Sequence, residues 1–114
     1  MLTDRDLDLI DDILDAISRV GKYIGVMSYP EFLEDTLTQD AVLHNVQIIG
    51  EAVSKLSKEF KGQVTEIDWE DSVKMRHIIV HDYGRVRLDI VWDAVKHDLP
   101  QLEAALKPWQ TEIE

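Results

Sequence analysis

The sequence predicts an all-α fold, an antiparallel bundle of four to five helices in one domain spanning residues 1–114. Two observations carry that expectation. Apolar residues recur at steps of three and four along two long stretches, the spacing that gives a helix one buried face. Nothing reads as a sheet, since no stretch shows the two-residue alternation of a half-buried strand. The size agrees: 114 residues with 45% hydrophobic content suffice for one domain with a real core. Up-and-down connections are the expected topology.

The first helix opens at Thr3, with Asp6 three residues later in a capping-box-like start. Leu7, Ile10, Ile13, Leu14, Ile17, Val20 and Ile24 then form its apolar stripe, with Asp4, Asp8, Asp11, Asp12 and Asp15 off it. "GVMSYPEFLEDT" breaks the pattern, and Pro30 is placed to begin a short helical turn. Thr38 is the expected cap of the second long helix. Its seam runs Val42, Val46, Ile49, Val53, Leu56 and Phe60 in alternating steps of four and three. "KGQVTEID" reads as a linker, and Asp68 as the cap of a third helix starting at Trp69. Gly84 is expected to interrupt it. The last helical region carries Leu88, Val91, Trp92 and Val95, then Leu99, Leu102 and Leu106. Pro100 either kinks this region or restarts it after an Asp98 cap.

Composition excludes several functions. The chain has no cysteine, which removes disulfides, thiol catalysis and cysteine-ligated zinc. The acidic start "MLTDRDLDLIDD" lacks the layout of a signal peptide, and no apolar run approaches the roughly 20 residues that span a bilayer. A cytoplasmic protein without membrane attachment is expected. The net charge of −11 opposes non-specific attraction to nucleic acid. Yet Val73 to Leu88 gathers Lys74, Arg76, Arg85 and Arg87 against one acid, Asp82, for a local +3, leaving −14 elsewhere.

On a helix over residues 69 to 83, Trp69, Val73, Arg76, Val80 and Tyr83 share one stripe, while Met75, Ile78 and Ile79 form a second apolar sector. Two apolar faces fit either a central helix or one that packs against a second copy of the chain. Arg76 lies in the apolar stripe, where an unpaired guanidinium costs several kcal/mol. It therefore pairs with an acid such as Glu51, Asp71 or Asp82, or it faces an anion, which arginine can grip through two parallel hydrogen bonds. His77 and His81 share a face, but "HIIVH" has no internal acid of the zinc-protease kind and no evident third ligand, so no metal is assigned. A proton-transfer role for His81 suits a group that titrates near neutrality. His44 and His97 read as structural, and Trp69, Trp92 and Trp109 as core or interface residues.

Arg76, four residues, His81, one residue and Tyr83 form Arg-x4-His-x-Tyr. With "NVQIIGEA", Trp69 and "VWDAVKHDLPQLEAAL", this resembles the HepT-like proteins of the HEPN superfamily over nearly the whole chain. The resemblance implies a HEPN-type bundle that forms a homodimer and joins two motifs in one cleft. It implies a metal-independent endoribonuclease without cofactor, the toxin of a type VII toxin–antitoxin pair. Its product would be a 2′,3′-cyclic phosphate end. The implied partner is a small nucleotidyltransferase antitoxin that transfers AMP to the motif tyrosine. On that basis Arg76 and His81 are the catalytic pair, His77 the supporting polar residue (where the family usually has another polar residue, often asparagine) and Tyr83 the modified one. Lys74, Arg85 and Arg87 are candidate phosphate contacts. Arg76 and His81 lie about 140° apart on an ideal helix, so one helix does not obviously aim both at one atom. The competing expectation is a non-catalytic helical dimer that binds the nucleotidyltransferase or a nucleotide, which overall acidity favours.

Overall fold

A computed structural model describes residues 2–70 and 87–110, and among these every regular element is helical. Two long helices, α1 (Asp4–Ile24) and α3 (Thr36–Lys55), form the centre. A short helix α2 (Tyr29–Glu34) connects them, and α4 (Lys58–Gln63) follows the second. Helix assignment resumes at Trp69. The last region comprises α5 (Leu88–Asp93), a π-helical turn (Ala94–Asp98), α6 (Leu99–Leu106) and a 3₁₀ turn (Lys107–Trp109).

The amphipathic spacing acts as expected in α1. Ile10, Ile13, Leu14, Ile17, Val20 and Ile24 are buried, joined by Ala16, while Leu7 is only half-buried. They pack on Val42, Val46, Ile49, Ala52 and Val53 of α3 within one core cluster. Gly25 closes α1 with a φ of 53°, a left-handed conformation that side chains disfavour, and its N–H donates to Gly21 O.

Four local expectations are corrected. The cap of α3 is Asp35, not Thr38; the Thr38 N–H donates to Asp35 Oδ1 at 2.9 Å, so Thr38 is already inside the first turn. The seam from Val42 to Phe60 is buried throughout but does not lie on one helix. Leu56 adopts an extended ψ of 143°, Ser57 recaps the chain, and Phe60 belongs to α4. The linker is correspondingly shorter, because Lys61, Gly62 and Gln63 are helical. Asp98 is no cap: its backbone is helical, and no side-chain cap bond forms. Instead the Leu99 N–H donates to Ala94 O, five residues back, which widens the helix just before Pro100. A proline ring clashes with the carbonyl four residues back, and the wider turn lets the chain pass it without breaking.

Asp6 ties these elements together. Its N–H donates to Thr3 Oγ1 at 3.0 Å and its carboxylate accepts from the Thr3 N–H at 3.3 Å, completing a capping box. The same carboxylate accepts from the Ser57 N–H at 2.9 Å and the Ser57 hydroxyl at 2.7 Å. Ser57 Oγ in turn accepts from the Phe60 N–H at 3.1 Å. One buried acid thus serves the starts of α1 and α4, and it sets α1 antiparallel to α3. Burial pushes its pKa up, but the hydrogen bonds from Ser57 and Thr3 outweigh that and hold it below its ordinary 3.8.

Replacing Asp6 by Ala removes a cap, worth about 1 kcal/mol, and strips a partner from the Ser57 N–H, worth about 1–3 kcal/mol. Urea denaturation should therefore show a loss of about 2–4 kcal/mol. Because the folded pKa is depressed, this stabilisation is present above the unfolded value and is lost as pH falls through the folded one. The stability gap between wild type and Asp6→Asn should accordingly narrow on acidification below about pH 4.

Candidate functional site

The predicted centre, Arg76, His77, His81 and Tyr83 with Lys74 and Arg85, lies outside the described residues. So do two of the three acids considered as partners for Arg76, Asp71 and Asp82. What the structure provides is the frame on either side of this stretch.

On the entry side, Trp69 is fastened to α4. Its Nε1–H is shared between Lys61 O at 3.2 Å and Val64 O at 3.0 Å. Its ring lies 6.2 Å from Phe60, which is fully buried and meets Trp109 edge-on at 5.2 Å and 85°. Phe60, Trp69 and Trp109 therefore link the start of the motif stretch to the end of the chain. Such pairs add about 0.5–1.5 kcal/mol beyond their burial.

On the exit side, Arg87 stands at the N-cap of α5, exposed, and grips Asp89 through two parallel bonds, Nε–Oδ1 at 3.1 Å and Nη2–Oδ2 at 2.9 Å. The arginine draws the Asp89 carboxyl below its usual range. Arg87 is the one predicted phosphate contact that the described residues include, and an acid already occupies its fork. An Asp at the second position of a helix also suits the helix dipole, so Arg-x-Asp was a readable signal for this pair. One turn on, Trp92 packs on Tyr29 at 5.6 Å and Phe32 at 5.3 Å, with the Lys96 ammonium 4.8 Å over its ring. Both ends of the motif stretch are thus anchored by aromatic clusters.

Of the remaining candidates, His44 and Glu51 border one groove on α3, and His97 lies apart on the π-helical turn. Glu51 is half-exposed on α3 and pairs with Lys55 at 3.5 Å. His44 is exposed on the same helix. His97, expected to be structural, is a surface residue whose Nδ1 lies 3.0 Å from Asp93 Oδ1. Among the described residues no three His, Cys, Asp or Glu side chains gather as a metal site. None of their helices is long and apolar enough to cross a membrane.

The model of the family described as "Ribonuclease HepT-like" matches residues 13–108, most of the chain and all of the motif stretch. The chain belongs to the HepT-like family. A Thermococcus cleftensis protein named "Probable ribonuclease HepT" is 34% identical over 96 residues, covering 84% of this chain and 87% of its own. A longer Methanocaldococcus jannaschii protein, whose name couples gamma-glutamylcyclotransferase with an RNase assignment, is 30% identical over 105 residues. This chain covers 92% of itself but only 47% of that relative, about half its length. A solved structure of the tri-AMPylated Shewanella oneidensis HEPN toxin in complex with MNT antitoxin aligns with a TM-score of 0.69 and 26% identity, covering 92% of this chain and 96% of that one. A crystal structure of a toxin–antitoxin with AMP-PNP aligns with a TM-score of 0.68 and 25% identity, covering 92% and 97%. The all-helical bundle is therefore of HEPN type.

Trp69→Phe keeps the ring packing but loses the N–H that donates to Lys61 O and Val64 O. A cost of about 1 kcal/mol in urea denaturation is expected, with little change in far-ultraviolet circular dichroism.

Proposed function

We propose that this chain is a metal-independent endoribonuclease, the toxin of a toxin–antitoxin pair, acting as a homodimer whose two Arg-x4-His-x-Tyr motifs share one cleft. The observation that carries the reading is the motif itself, Arg76, His81 and Tyr83, within a chain that the HepT-like family model covers over residues 13–108. The neighbouring toxin structures, one of them AMPylated and bound to its antitoxin, support the biological setting.

The chemistry asks little of the protein beyond placement. His81 moves protons: the 2′-OH of RNA loses its proton and its oxygen attacks the adjacent phosphorus. The bond to the 5′-oxygen breaks, that oxygen takes a proton, and a 2′,3′-cyclic phosphate remains. Arg76 meets the charge that grows on the phosphoryl oxygens, and His77 supports the pair. Lys74 and Arg85 extend the local positive charge toward flanking phosphates. Arg87 already has its charge matched by Asp89. A nucleotidyltransferase antitoxin would silence the site by attaching AMP to Tyr83, adding bulk and negative charge where the substrate phosphate binds.

A second reading, a non-catalytic dimer that binds the nucleotidyltransferase or a nucleotide, draws on the net charge of −11, which is unfavourable for a general RNA-binding surface.

Purified protein in EDTA should cleave a mixed RNA pool, whereas Arg76→Ala and His81→Ala, checked for folding and dimerisation, should lose at least about 100-fold in rate, the usual worth of an acid–base group. Equal cleavage by all three places the activity elsewhere, and no cleavage by an unmodified dimer favours the second reading. Incubation with the nucleotidyltransferase and ATP should add the mass of AMP to the wild type and not to Tyr83→Phe, as intact-mass spectrometry would read.

A further inference from the structure

Helices α1 and α3 leave an open groove of about 600 Å³ between them. Its floor is apolar: Leu9 and Ile48 are half-buried against the core, and Ala52 is 5% exposed. Its rim is acidic. Asp12 borders it from α1, flanked on the same exposed side by Asp8 and Asp15 at steps of four and three, with Arg5 and Arg19 continuing the stripe only beyond these acids. None of these three has an ion pair among the described residues. Across the groove, the rim cation Lys55 is met by Glu51 at 3.5 Å, so the charge left over is negative.

We propose that this groove is the docking site for a basic amphipathic helix of the nucleotidyltransferase partner, an inference that rests on the toxin–antitoxin reading above. Apolar anchors of that helix would fill the floor over Leu9, Ile48 and Ala52, while lysines or arginines beside them would meet Asp8, Asp12 and Asp15. The α3 side of the groove runs from residue 44 to residue 55. That is about 17 Å at the helical rise, room for about three turns of a partner helix. The same charge disfavours the alternatives. RNA phosphates are repelled by the rim. A second copy docked two-fold here would press one acidic rim against another.

The test is a titration of the purified cognate nucleotidyltransferase into the full chain by isothermal calorimetry. Asp12→Lys, on an exposed residue, and Ile48→Arg, on the floor, are compared with Glu34→Lys on α2, which makes the same charge change as Asp12→Lys away from the groove. Binding at least tenfold weaker for Asp12→Lys and Ile48→Arg is expected, with Glu34→Lys within twofold of wild type and the wild-type affinity falling as salt rises. Free Asp12→Lys and Ile48→Arg should keep wild-type dimer mass by light scattering and wild-type RNA cleavage. Unchanged partner affinity in both groove variants overturns the docking site while leaving the toxin reading intact. A shift of oligomeric mass in place of partner affinity assigns the groove to self-association and overturns it as well. A wild type that cleaves RNA but does not bind the nucleotidyltransferase overturns both the groove and the proposed partner, leaving the ribonuclease standing.

Discussion

The Asp6 carboxylate holds the architecture together. It completes the capping box of α1, accepts two hydrogen bonds from Ser57, and through the Ser57 hydroxyl reaches the Phe60 N–H in α4. A buried acid is costly unless its oxygens are satisfied, and here three donors, all neutral groups, do so. The consequence reaches beyond α1. Fixing Ser57 places Phe60, which supports Trp69 and Trp109, and Trp69 stands just before the motif stretch in the sequence. A single polar contact thus fixes α4 and, through Phe60, the packing of Trp69.

This arrangement separates rigid support from chemistry. The long pair α1 and α3 supplies most of the core, while the aromatic groups Phe60–Trp69–Trp109 and Tyr29–Phe32–Trp92 hold the two approaches to residues 71–86. The proposed phosphoester cleavage through a neighbouring hydroxyl depends on angular placement, because attacking and leaving oxygens must lie in line. Anchors at both ends of the motif stretch answer that demand. The charge distribution follows the same division: cations gather over Val73 to Leu88, and the outer face of α1 is acidic.

Helix-period patterning identified the buried faces of α1 and α3 well, because burial and apolar spacing are the same constraint seen twice. It could not see where the backbone turns. Leu56 and Phe60 continue the seam in register although Ser57 ends one run and starts another, since both sides of the break bury their apolar residues in the same core. Caps were harder. Thr3 and Ser57 both accept from an N–H three residues on, but the bond from Ser57 to Asp6 joins residues 51 apart, and no local rule reaches that far. The π turn before Pro100 was equally hidden: proline announced a disturbance without saying whether the helix would break or widen. For the site, Arg76, His81 and Tyr83 stand out by residue type and by resemblance, whereas the pairing of Arg87 with Asp89 is legible only as Arg-x-Asp at a helix start.

The most direct test of the central claim alters the substrate and leaves the protein untouched. Once a cleavage position has been mapped in an RNA oligonucleotide, the same oligonucleotide is made with a single 2′-deoxy nucleotide on the 5′ side of that phosphate. Cleavage through 2′-OH attack predicts that this bond survives in EDTA while unmodified control sites are cut. Cutting at the deoxy position at the normal rate would contradict the account, because the nucleophile would then have to be water or a protein group.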